Sequence, residues 1–406
     1  RVQTLKQYCF NYLLRHRENI PKNITTIYEI PEIREEFVAL AKRKNMVDDQ
    51  FFSVFGDVFI LTGANSNTTT PFLNNNPLNA NSSNKQVTDG DVEMSTESNN
   101  NNNNSITTRV GNSSTTRINE IDLSGLVRIT DISIQFLTKY DHLQHLNLSF
   151  CTGISNDFVK VLATNPAIQL QSINLYYTNT NDQSIQSIVN TYPNLKSLSI
   201  AGCQMITEAA IKSLSKCSSL TYLDISHNRK LTPSCTKHLA FSHLIYLNAS
   251  WLGPEAKEAS FYKCAKNCPH LQSLSIAASN LTDSELQKIL AEAKRLTSLD
   301  ISYCPQALSL DTKTYKYLAN LQSLSIAGCN FKEPILRKIM EYTTNLRDLD
   351  LSHQEGTMSW TFLTYIISDA HILQHLHTLN LSHSKFDKFD VDTLLQYPSL
   401  NIYLPT

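Results

Sequence analysis

The sequence predicts an α/β solenoid, and three observations predict it. An apolar-x-x-apolar-x-apolar motif recurs eleven times between Ile118 and Leu381. Successive copies begin 24 to 27 residues apart, except for a gap of 30 before the last. Capped helical patterns follow several of the copies. Chance does not put this many copies in phase. The alternating leucines of units such as Leu195-Leu198-Ile200 and Leu220-Leu223-Ile225 mark short strands with one buried face. Thr207-Glu208, Thr232-Pro233 and Thr282-Asp283 then set a hydroxyl before a first helical turn. Pro233 stands where a missing N–H costs least, and Thr282 with Glu285 makes a capping box. One such unit cannot bury its own apolar face, so neighbours must stack and share a core.

Motif and period are those of leucine-rich repeats. They predict a leucine-rich-repeat solenoid, a horseshoe of about eleven repeats over residues 117–406, preceded by a small helical N-terminal segment. The closing Leu400-Ile402-Leu404 alternation is expected to form an edge strand. Three residues after the last strand leucine stand Cys151, Cys203, Asn228, Cys304 and Cys329, at an inward position where a polar side chain can satisfy loop backbone groups. With Ile129-Thr130-Asp131, Ile206-Thr207-Glu208 and Leu281-Thr282-Asp283, and with Cys217 and Cys268 just before their strands, the array resembles the cysteine-containing subtype. That subtype occurs in F-box receptors and related ubiquitin-ligase subunits, and the resemblance implies structural cysteines.

Residues 1–62 read as a compact helical segment. Val2, Leu5, Cys9, Tyr12 and Leu13 fall at helical spacing, Pro31 opens a second helix with Ile33, Phe37, Leu40 and Ala41 on its buried face, and Phe51 to Leu61 packs on both. Residues 63–116, rich in Asn, Ser and Thr, lack the apolar groups that offset ordering entropy and are expected to be a disordered linker.

Thr4-Leu5-Lys6-Gln7-Tyr8-Cys9, continued to Leu13, resembles a BC box, the helix with which a class of proteins binds elongin C. The resemblance implies Leu5 as the anchor, with Cys9 and Leu13 along the same stripe. Ile30-Pro31, followed by Ile33 and Phe37, resembles the element by which such receptors select a cullin; Ile30-Pro31-Glu32-Ile33 could also begin a degenerate F-box, though a convincing remainder is missing. BC box, Pro-led helix and cysteine-type repeats together are similar to Zyg-eleven-like and yeast repair-associated elongin-binding receptors. The implied function is substrate recognition within a cullin-type ubiquitin ligase. The other reading is a scaffold or regulator in which residues 1–62 only cap the first repeat.

A target is expected on the strand face. The residue between the last two strand leucines reads Asp122, Asn147, Asn174, Ser199, Asp224, Asn248, Ser275, Asp300, Ser325, Asp350, Asn380. Two residues beyond the last strand leucine come Gly125, Phe150, Tyr177, Gly202, His227, Trp251, Ala278, Tyr303, Gly328, His353, His383. Exposed aromatics beside carboxylates are typical of interface hot spots. Phe150, Tyr177, His227, Trp251 and Tyr303, with Asp224 and Asp300, are the expected substrate patch, suited to a segment carrying Lys or Arg. Alternatively, these aromatics merely cover the gaps between strands.

Other chemistries find no support. With 35 basic against 36 acidic residues the net charge is −1, which offers no field for nucleic acid or an anionic membrane, and no apolar run is long enough to span one. The nine cysteines form no C-x-x-C pair, so reduced thiols in the cytoplasm or nucleus are expected. There is no phosphate-binding Gly loop and no nucleophile elbow. His371 and His375 lack the intervening Glu of a zinc protease. No catalytic residue, metal or cofactor is expected.

Overall fold

A computed structural model describes residues 10–15, 31–64, 118–254, 261–304, 315–329, 331–354, 357–368, 375–386 and 400–403. Among them, a 12-stranded parallel sheet runs in strict chain order from Glu120–Asp122 to Asn401–Tyr403. Eleven of its strands are the predicted motifs. The twelfth, Asn401–Tyr403, pairs with Thr378–Asn380 and closes the edge as the Leu400 alternation implied. The register is invariant: Ile121, Leu146, Ile173, Leu198, Leu223 and Leu247 lie side by side and point into the core. The residues flanking each of them form the sheet's open face.

Helices pack behind the sheet, and several are started by a capping side chain, though Asp157 and Lys332 make no such bond. Thr130, Asn181, Thr207 and Thr282 accept a hydrogen bond from a first-turn N–H. Of the hydroxyls predicted to cap, Thr232 is the exception. Residues Pro233–His238 form a tight 3-10 helix, and the Thr232 hydroxyl contacts Ser234 Oγ at 2.9 Å instead of capping. In the expected capping box, Glu285 Oε1 reaches across to the N–H of Tyr262 at 3.0 Å, so it serves the neighbouring helix as well as its own repeat.

The inward polar position works as expected. Cys151, Cys203 and Cys329 direct their thiols at the carbonyls of Leu123, Leu175 and Ile301 at 3.0, 3.1 and 3.0 Å, each the last strand leucine or isoleucine of the repeat before. Asn228 Nδ2 donates to Ile200 and Ile225 at 2.9 Å, and Gln354 Nε2 donates to Ile326 at 3.0 Å. Burial pushes the Cys151 and Cys329 thiols up to about 12, so they are donors and not nucleophiles.

Among the described residues, the N-terminal segment joins the solenoid as an extra repeat that brings no strand to the sheet. The predicted second helix spans Pro31–Arg43 with Phe37, Leu40 and Ala41 buried, and a third spans Asp49–Ala64, two residues past the expected boundary. Val47-Asp48-Asp49 occupies the place that Ile129-Thr130-Asp131 holds one repeat later. Asp48 Oδ1 accepts from the Phe51 N–H at 3.0 Å, and Asp48 bridges Arg128 as Asn181 bridges Met205 further along. Asp49 accepts from the N–H and hydroxyl of Thr130 at 2.9 and 2.6 Å and of Ser133 at 3.2 and 2.6 Å. Asp131 does the same for Ser155, and Asp182 for Thr207. A phenylalanine core seals the joint: Phe37 meets Phe10 and Phe55 at 5.3 and 5.1 Å, and Phe52 meets Phe136 of the first repeat at 5.9 Å. Of the linker expected over residues 63–116, the first two residues end the Asp49–Ala64 helix instead, and the rest lie outside the described residues.

Candidate binding surface

The turn that ends each strand builds the surface. The Asp or Asn that closes the strand accepts the N–H two residues on: Ser149 to Asn147 at 3.0 Å, Ser226 to Asp224 at 3.0 Å, Ser302 to Asp300 at 3.0 Å, Ser352 to Asp350 at 2.9 Å. The next residue carries the ladder onward, as where the N–H of Tyr177 bonds Ala201 O at 2.8 Å and that of Tyr303 bonds Ala327 O at 2.7 Å. The backbone at that next residue is left-handed whether an Asp or Asn closes the strand or, as at Ser199, Ser275 and Ser325, a serine does. Every one of the eleven positions from Gly125 to His383 has φ between +52° and +74°.

Glycine is the residue that adopts this conformation without strain, and it holds only Gly125, Gly202 and Gly328. Aromatics and histidines hold most of the others, at about 1 kcal/mol of strain each. Their rings form a ladder along the rim. Phe150 and Tyr177 stack at 5.7 Å, His227 and Trp251 at 6.0 Å, and His353 and His383 at 4.5 Å, while Tyr303 spans the middle at 5.5 Å from Trp251 and 5.8 Å from His353. The glycines are receptacles: a Cβ on Gly202 would stand 2.6 Å from the Tyr177 ring, and one on Gly328 2.6 Å from Tyr303. Phe150, Tyr177, Trp251 and Tyr303 are nonetheless 37–46% exposed.

The expected patch is thus a linear ladder of rings, and its two carboxylates do not share one environment. Asp300 is tied down on both oxygens, Oδ1 by Ser302 and Oδ2 by Ser275 Oγ at 2.7 Å. Asp224 lies three repeats away, in a hollow of about 520 Å³ lined also by Phe150, Tyr176, Tyr222, His227 and Tyr246. Burial pushes its carboxyl up to about 6, against hydrogen bonds from Ser226 and Asn248 that favour the charged form. Burial likewise lowers His227, leaving its imidazole neutral at pH 7. Tyr176, Tyr222 and Tyr246 were missed by the sequence reading. Tyr222 and Tyr246 occupy the first strand position of adjacent repeats, where most units carry Ser, His or Thr, and superposing the repeats would have exposed them.

Of the expected adaptor residues, Leu5, Cys9 and Ile30 lie outside the described residues. Pro31 is the first residue of its helix. Leu13 lies in a helical stretch over residues 10–15, half-buried against the phenylalanine core, while Phe10 and Leu14 are buried in it and Tyr12 is 57% exposed. Among the described residues there is no cluster of three or more metal-binding side chains and no helix long and apolar enough to cross a membrane.

Parallel register, inward cysteine ladder and capped helices define a leucine-rich-repeat solenoid fold. The family model described as Leucine Rich repeat matches residues 141–163 and 216–234. The chain is similar to the BTB/POZ domain-containing protein FBL11 of Arabidopsis thaliana, 24% identical over 47% of this chain and 24% of that protein. It is also similar to F-box/LRR-repeat protein 4 of Bos taurus, 28% identical over 38% of this chain and 26% of that one. The chain therefore spans about a quarter of the length of these relatives. Among solved structures, a chain from the crystal structure of the Rad7 and Elc1 complex in yeast superposes over 99% of this chain and 92% of its own, with a TM-score of 0.50 and 12% identity, a likeness of fold.

Proposed function

We propose that this protein is the substrate-recognition subunit of a cullin-type ubiquitin ligase, docking elongin C through Leu5, Cys9 and Leu13, engaging a cullin near Ile30-Pro31, and holding its target on the open face of the repeats. The observation that carries target binding is the exposed ring ladder at left-handed positions. Positions that glycine would fill with less strain carry aromatics here, and strain of this kind collects at functional surfaces. Support for the ligase comes from the F-box/LRR-repeat name of a relative and from the BC-box pattern. The cysteines among the described residues are all buried and free, which suits the reducing cytoplasm or nucleus.

A second reading, a capped scaffold with no link to ubiquitin, is favoured by Phe10 and Leu14, which seal the cap's core. Capture of elongin C by the purified chain, run beside Leu5→Ala, separates the two. The receptor reading expects capture that Leu5→Ala abolishes while the melting temperature holds. The scaffold reading expects no capture, and a Leu5→Ala variant weakened by about 2–4 kcal/mol.

A further inference from the structure

Resting on the reading that the open face holds a target, we propose that the hollow beside Asp224 is an anchor pocket for one arginine side chain of that target. Its form follows from residue size. The small Ser197 and Ser199 leave a gap in the sheet's face, and the next two repeats wall it with Tyr222 and Tyr246, whose rings stack at 4.4 Å and 3°. Tyr176, set edge-on to Phe150 at 5.1 Å, forms the opposite wall. Among the described lining residues Asp224 is the one acid, and none is Lys or Arg.

Flat aromatic walls around a carboxylate complement a planar, weakly hydrated cation that can stack and donate several hydrogen bonds at once. Serine and asparagine oxygens of the lining can accept the remaining N–H groups. Every titratable group facing the cavity favours a cation at neutral pH: Asp224 is ionised, while His227, Tyr176, Tyr222 and Tyr246 are uncharged.

The test is calorimetric titration of the whole chain with the pentapeptide acetyl-Gly-Ser-Arg-Ser-Gly-amide and its lysine and citrulline counterparts. Asp224→Asn is the informative variant, because asparagine already makes the same turn at Asn147, Asn174 and Asn248, so the fold is kept and only the charge is lost. The arginine peptide should bind, and Asp224→Asn or citrulline should weaken it by roughly tenfold or more. Binding should also fade as the pH falls below about 6. Three results would overturn the assignment: no binding at millimolar peptide, an unchanged Asp224→Asn, or a lysine peptide that binds as tightly. Elongin C capture reads the ligase proposal separately, so either can fail while the other stands.

Discussion

At Asp224 burial holds the native carboxyl near 6, against 3.8 for an ordinary aspartate, so between those values the folded chain keeps a proton that the unfolded chain has released. Stability therefore falls as pH rises through that window, and the deficit is complete at neutral pH. Asp224→Asn should raise stability at pH 7 by about 1–2 kcal/mol, allowing for partial solvent exposure, and change little near pH 4. Urea titrations at the two pH values measure the difference. Asn228, in the same turn, has the opposite character. Its amide satisfies two buried carbonyls. Asn228→Ala should cost about 2–4 kcal/mol, and Asn228→Cys much less, because cysteine fills the equivalent site in neighbouring repeats. Thermal melts of the pair decide it. Both residues were visible in the sequence as columns of the repeat, but their jobs were not equally legible. The Asn228 column announced a buried donor. The Asp224 column read as a charged binding row, and only the geometry showed each Asp or Asn closing a turn.

Among the elements, the Asp49–Ala64 helix is the one whose place the sequence concealed. Its apolar pattern promised a packed helix, yet the ITD-like signature of the repeats is written there as Val47-Asp48-Asp49, with Asp for Thr, so the kinship was not apparent. Asp49 is the hinge of the arrangement. Burial opposes its ionisation, but hydrogen bonds from Ser133 and Thr130 outweigh burial and hold the carboxyl below the usual aspartate value. The stability it contributes is present above pH 3.8 and lost as pH falls through the lowered native value. Asp49→Ala removes four hydrogen bonds and should cost about 2–4 kcal/mol. Hydrogen exchange should show the loss at the Asp131–Leu137 helix, with the central repeats near Leu247 unaffected, because stability in a solenoid is a sum over neighbours. Equal loss of protection across all repeats would contradict this account.

For the molecule as a whole, the Asp49–Ala64 helix is separated from the first strand, Glu120–Asp122, by far more chain than separates helix from following strand elsewhere among the described residues. Replacing residues 65–116 with about ten Gly/Ser residues should raise stability by about 1–2 kcal/mol through the lower entropy of closing a shorter loop. A drop in the denaturation midpoint would mean that the segment supports the fold. The sequence by itself determined the solenoid, its eleven in-phase strands, the closing edge strand and the inward cysteine ladder, because a stack of identical units repeats its constraints in the chain at a fixed period. Tertiary structure alone decided three things: the left-handed backbone beneath the aromatic ladder, the hollow around Asp224, and the cap's disguise as a repeat. Each depends on distances between residues of different units. A ring finds a glycine one repeat on, two tyrosines meet across a strand pair, and a carboxylate caps a helix some 80 residues away. The hollow and the cap leave no period in the sequence, and the left-handed position, which recurs once per repeat, is held by residues too varied to announce its backbone.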